Sequence, residues 1–98
     1  PFLNKLTDPN IQFSVFRHLG YYHSNMQKYD VAENYLRLSL EQSKAIRDFE
    51  KQSESYRYLA LNFMQTNQKD SAMFYSTRAI NTARRSGSKS TLSLAFNN

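Results

Sequence analysis

Few residues in this chain could do chemistry, and their spacing narrows the options further. His18 and His23 are the two histidines. Five residues apart, they do not share a helix face as a zinc pair would. There is no His-Glu-x-x-His, no glycine-rich phosphate loop and no Gly-x-Ser-x-Gly, so neither metal hydrolysis nor serine catalysis has its usual residues. Cysteine is absent, which removes disulfides, cysteine–zinc sites and thiol catalysis. No Asp/Glu cluster is set out to hold a metal. The chain therefore reads as a non-enzyme without cofactor or metal. What remains are side chains that bind: Arg17 and Arg57, whose forked guanidinium groups suit carboxylates and phosphates, and a large aromatic set of 7 Tyr and 7 Phe.

The elements that must carry these residues are helical. The 98 residues, with 2 Gly and 2 Pro, allow one domain and lack the turn glycines of a sandwich or a dinucleotide-binding fold. Asp8-Pro9 reads as a cap and first turn. Ile11, Val15, Phe16, Leu19, Tyr22, His23 and Met26 then step by three and four, as one helix face does. Asn25 to Lys28 is a polar break. Asp30 reads as the cap of a second helix with Ala32, Tyr35, Leu36, Ser39, Leu40 and Ser43 on one stripe. After a junction at Asp48 to Glu50, a third helix places Tyr56, Leu59, Ala60, Phe63 and Met64 inward. Asp70 reads as the cap of a fourth, with Ala72, Tyr75, Ser76, Ala79, Ile80 and Ala83, and Gly87 as its stop. Ser90 to Asn98 reads as the opening of a fifth.

The pattern repeats. A shift of 40 residues places Gln12 on Gln52, Arg17 on Arg57, Leu19 on Leu59, Asp30 on Asp70, Ala32 on Ala72 and Tyr35 on Tyr75. Asp8 likewise falls on Asp48. These matches are small or apolar positions where two helices must approach, plus the polar starts of helices. Small residues at Gly20 or Ala60, at Ala32 or Ala72, and at Ser39 or Ala79 let an antiparallel pair pack closely, and the aromatics fill the grooves between pairs.

These residues resemble tetratricopeptide repeats, whose pattern is bulky-x-x-Leu-Gly-x-x-aromatic followed by two aromatic-x-x-Ala steps. Unit one carries Phe16, Leu19, Gly20 and His23, then Tyr29 with Ala32 and Leu36 with Ser39. Unit two carries Tyr56, Leu59, Ala60 and Phe63, then Lys69 with Ala72 and Ser76 with Ala79. His23, Lys69 and Ser76 depart from the pattern, and packing is the role expected of His23. The common unit is about 34 residues; this one is longer, similar to a long-helix subgroup frequent in bacterial regulatory proteins such as sensor histidine kinases.

The resemblance implies an all-α, right-handed α-solenoid of antiparallel helix pairs. Residues 1–7 would end a preceding helix, 8–47 and 48–87 would be two units, and 88–98 would open a further one within a longer parent protein. It implies a protein–protein interaction or scaffold module in the sensing part of a bacterial signalling protein. The alternative is a peptide sensor that switches a kinase or DNA-binding output domain. The first helix of each unit would line a concave groove. Arg17, Tyr21, Ser24 and Asn25 would come from unit one, and Arg57, Leu61, Met64 and Gln65 from unit two. There the two arginines would form a stripe for an acidic peptide or protein; the alternative leaves them solvated or paired with Glu54. Arg78, Arg84, Arg85 and Lys89 make the C-terminal part basic, but without the dense cluster that nucleic acid requires. Cations before Gly87 are accounted for by the helix dipole. With no apolar run of membrane length, the expected partners are proteins or peptides, with self-association through exposed solenoid ends, and the compartment is left open.

Overall fold

The computed structural model describes residues 7–87. The expected helix ends at 1–6 and 88–98 lie outside the described residues. Four helices follow one another: α1 (Pro9–Asn25), α2 (Tyr29–Ala45), α3 (Phe49–Gln65) and α4 (Lys69–Ser86). No strand occurs among the described residues. The helices pack in adjacent pairs, α1 on α2 and α3 on α4, and α2 packs on α3. α1 reaches α3 only lightly, and α4 touches neither α1 nor α2 through its backbone. Among the described residues the four helices thus form an open row and do not close into a bundle.

The helices begin at Pro9, Tyr29, Phe49 and Lys69, a constant interval along the chain. Their ends explain the regularity. Gln27, Arg47 and Asn67 each adopt positive φ, at 64°, 53° and 60°. The next amide in each case bonds back across the turn: Lys28 N–H to His23 O, Asp48 N–H to Ser43 O, and Gln68 N–H to Phe63 O, at 2.9–3.1 Å. The left-handed residue itself donates to Ser24, Lys44 or Met64. This is the paired closure of a Schellman motif, built three times on non-glycine residues. Gly87 takes the same conformation after α4, as its role of stop residue predicts.

Two sequence expectations need correction. Asp30 and Asp70 do not cap. The caps of α2 and α4 are Lys28 and Gln68, neither with a side-chain cap bond, and the acids sit in the first turn. There they favour the positive end of the helix dipole. The side-chain caps are Asp8, accepting from Asn10 N–H at 2.8 Å, and Asp48, accepting from Lys51 N–H at 3.0 Å. Second, Ile11, Val15, Tyr22 and Met26 of α1, and Met64 of α3, do not face the core but lie exposed. α1 is the end of the described array, so only its other side, with Phe13 and Gly20, is buried.

The core runs between α2, α3 and α4 through Leu36, Leu40, Tyr56, Leu59, Phe63, Ala72 and Ala79. An aromatic arrangement recurs from one unit to the next. His23 stacks on Tyr35 at 5.4 Å, and Phe63 on Tyr75 at 5.5 Å. Phe16 meets Tyr35 at 6.3 Å, and Tyr56 meets Tyr75 at 6.1 Å, both pairs inclined by 26°. His23 does pack as an aromatic, with a buried Nδ1 that finds no partner. Buried hydroxyls tie the helices together: Ser39 shares a hydrogen bond with Ser55 at 2.9 Å, and Ser53 donates to Ala79 O at 2.9 Å.

Gly20 shows how tight the first pair is. A Cβ there would lie 2.6 Å from Leu36 Cγ and Cδ2. The repeat register sets Ala60 and Ser76 in the equivalent places, a methyl gained on one helix against a shorter side chain on the other. Gly20→Ala should therefore destabilise by about 1–3 kcal/mol through overpacking, despite the better helix propensity of Ala. In a Leu36→Ala background the same change should be neutral or favourable, a coupling that a double-mutant cycle in urea measures. Relief of left-handed strain makes a second expectation: Arg47→Gly should stabilise by about 0.5–1 kcal/mol in the same assay.

Candidate binding clefts

α1 and α3 run side by side, one from each pair, and leave a cleft of about 350 Å³ between them. Tyr21, Ser24 and Asn25 line it from α1, and Tyr58, Leu61 and Gln65 from α3. Gln27, Tyr29 and Leu36 complete it. Residues three and four apart on each helix share a face, so a 17-residue helix presents one such row to its neighbour. Tyr21 and Tyr58 meet edge to face at 6.0 Å and bridge the two helices. The lining carries no charged side chain. It offers phenol rings, amide groups and one exposed leucine, a surface for apolar contact and neutral hydrogen bonds.

Of the residues expected in the groove, the structure brings Tyr21, Ser24, Asn25, Leu61 and Gln65 together. Arg17, Arg57 and Met64 stand outside the lining. Arg17 is engaged elsewhere: its Nη1 lies 3.2 Å from Glu54 Oε1 on α3, both side chains part-buried. Its guanidinium also lies 6.0 Å from the Phe13 ring, and Lys51 stands 5.5 Å from that ring. Lys51 Nζ donates to Asn10 at 3.2 Å. Arg17 thus ties unit to unit, as the alternative reading of the sequence held for Glu54. Arg57 makes no ion pair among the described residues; its guanidinium covers the Tyr58 ring at 4.8 Å. Met64 projects outward, 61% exposed. The two arginines do not form one stripe.

Tyr58 was missed. Its counterpart in the repeat register is His18, which turns outward to the Ser14 carbonyl at 2.6 Å, so the register held no hint of a cleft residue. Also missed was a second cleft, of about 650 Å³, where Phe49, Gln52 and Tyr56 of α3 meet one face of α4, with Lys44 of α2 at its edge. At 100° per residue, Phe49, Gln52 and Tyr56 point about half a turn away from Tyr58, Leu61 and Gln65. α3 separates a neutral cleft from one that carries Lys44, Arg78 and Arg85. Beside it, Arg37 Nε donates to Glu33 at 2.8 Å and the guanidinium lies 5.7 Å from the Tyr75 ring. The bond to Glu33 raises the arginine's already high pKa, so it stays protonated.

Among the described residues no group of His, Asp or Glu is placed to hold a metal, and no helix is long and apolar enough to cross a membrane.

The different settings of the two arginines have a measurable consequence. Arg17→Ala removes a part-buried ion pair and leaves Glu54 without its partner, and should cost about 1 kcal/mol of stability. Arg57→Ala should change the melting midpoint far less. Equal midpoints for the two variants would show that the Arg17–Glu54 pair does not tie the units.

Compared with known proteins, the chain matches no family model, no curated protein and no solved structure.

Proposed function

We propose that this chain is a protein-interaction module of tetratricopeptide type, a right-handed α-solenoid that holds a short segment of a partner in the α1–α3 cleft. One observation carries the reading: the first helices of two successive units converge on a neutral cleft lined by three tyrosines, two leucines and several amides. A cleft of about 350 Å³ takes a few side chains rather than a folded domain, which favours an extended peptide segment over a broad scaffold surface. Aromatic rings at its centre are the residue type that most often dominates binding energy, and the amides can pair with a peptide backbone. The absence of the usual catalytic residue patterns from the sequence supports binding, not catalysis, as the activity.

The setting rests on the resemblance alone. Long-helix arrays of this kind precede kinase or DNA-binding output domains in bacterial regulators, and we place this module as the sensing or scaffold part of such a protein. In the sensor form of the reading, a bound segment changes the angle between successive pairs and so biases an output domain. The light α1–α3 contact, made through Arg17–Glu54, Tyr21–Tyr58 and the Lys51 contacts to Asn10 and Phe13, is where such a change would be taken up.

Peptides selected from a random displayed library test the reading. Binders should shift the NMR signals of Tyr21, Asn25, Tyr58 and Leu61. Leu61→Ser, at an exposed position, should weaken them about tenfold, or ~1.4 kcal/mol, with the melting midpoint unchanged. Selected peptides that ignore Leu61→Ser and perturb other residues would sink the assignment of this cleft.

A further inference from the structure

We propose that the larger cleft, on the other side of α3, is a docking site for an acidic amphipathic helix of a partner protein. Its edges are cationic. Lys44, Arg78 and Arg85 line it, and none has a carboxylate partner among the described residues. Its surface is also apolar. Met73 and Phe74 stand 71% and 52% exposed on α4, and Phe49 of α3 is 38% exposed. The single acid, Asp70, sits in the first turn of α4, at the opposite end of the helix from Arg85 in its last turn. A ligand is therefore met by apolar side chains along the cleft and by positive charge toward the end of α4.

Spacing favours a helix. Arg78 and Arg85 are two turns apart, or about 10.5 Å along one face of α4. Carboxylates at the same spacing on a helix laid along α4 fall at the same interval, with apolar residues between them at the three–four spacing that grooves of this kind read. Two of the three cations lie over rings: Arg78 lies 5.1 Å from the Phe74 ring and Lys44 5.9 Å from the Tyr56 ring. A stacked arginine gives up less freedom on pairing with a carboxylate.

Other occupants fit less well. Nucleic acid needs open ring faces for stacking. Tyr56 is 8% exposed and stacked on Tyr75, while the Phe74 ring has Arg78 over it and meets Tyr75 edge-on, which leaves Phe49 as one exposed ring rather than a row of platforms for successive bases. The chain's own residues 88–98 contain no Asp or Glu. A second copy carries the same net charge of +5 and is repelled.

The test uses the full 98-residue chain. The probe is a labelled synthetic helix of about four turns, with leucines on one face and glutamates flanking it. A glutamine version and a single-stranded oligothymidylate serve as comparators. Fluorescence polarisation should show the glutamate helix binding at least about tenfold more tightly than the glutamine version, with affinity falling as salt rises. The double variant Arg78→Gln with Arg85→Gln should lose about tenfold, while Leu61→Ser across α3 should have no effect. Signal changes should fall on Lys44, Phe74, Arg78 and Arg85. Both arginines are exposed, so circular dichroism should show the variant folded. Full affinity in the double variant, or signal changes at Tyr21 and Tyr58, would overturn the assignment. So would tighter binding of the oligothymidylate, or a dimer by sedimentation that the double variant abolishes.

Discussion

A connection of three residues leaves a helix no course but back along its predecessor. Everything else in this array follows from that constraint. Each turn closes through a left-handed residue and an amide that bonds back to the last turn of the helix, and the same amide's residue opens the next helix. With 17 residues in each of the first three helices, successive helices are matched in length and lie antiparallel. No helix can bury its apolar side alone, so each must share it with the next. The close approach of Gly20 to Leu36, the aromatic stacks on Tyr35 and Tyr75 and the Ser39–Ser55 bond are ways of filling a space whose width the turns have set.

The same constraint divides the surface. α3 has neighbours in its own pair and in the pair before it, so its two remaining sides open on two different clefts. Tyr58, Leu61 and Gln65 serve one; Phe49, Gln52 and Tyr56 serve the other. Their electrostatics differ because the residues contributed by the surrounding helices differ. α1 brings tyrosine and amides, while its arginine is spent on Glu54. α4 brings Arg78 and Arg85 to a lining whose one acid is Asp70, while Asp48 and Glu50 stand on the far side of Arg85, outside that lining.

Helix positions were legible in the sequence because the three–four spacing and the repeat register both depend on local geometry. His23 as a packing aromatic followed from the same register, and Gly87 as a stop from its residue type. The caps of α2 and α4 were not legible. A residue that completes one helix's closure while starting the next is bound by the turn, so Lys28 and Gln68 occupy the place where sequence favours Asp30 and Asp70. In α1 the exposed Ile11 and Val15 have helical spacing but no described helix on that side to pack against. The neutral cleft was half legible: Tyr21, Asn25 and Leu61 sit at register positions, whereas Tyr58 pairs in register with an outward His18. The cationic cleft was not legible, since Lys44, Arg78 and Phe49 come from three helices and nothing in linear order joins them.

The fixed interval of the turns also governs which changes of length the chain tolerates. A helix advances about 100° per residue, so deleting one residue within α3 would turn every residue after the deletion by more than a quarter of a circle relative to those before it. The two rows of cleft residues, which follow one another along α3, would then lose their fixed relation. Loss or gain of a whole repeat unit, cut at the left-handed positions Arg47 and Gly87, would leave every remaining helix facing as before. Length variation in a protein built this way is therefore expected in steps of one unit, with the turns as the places where new units join.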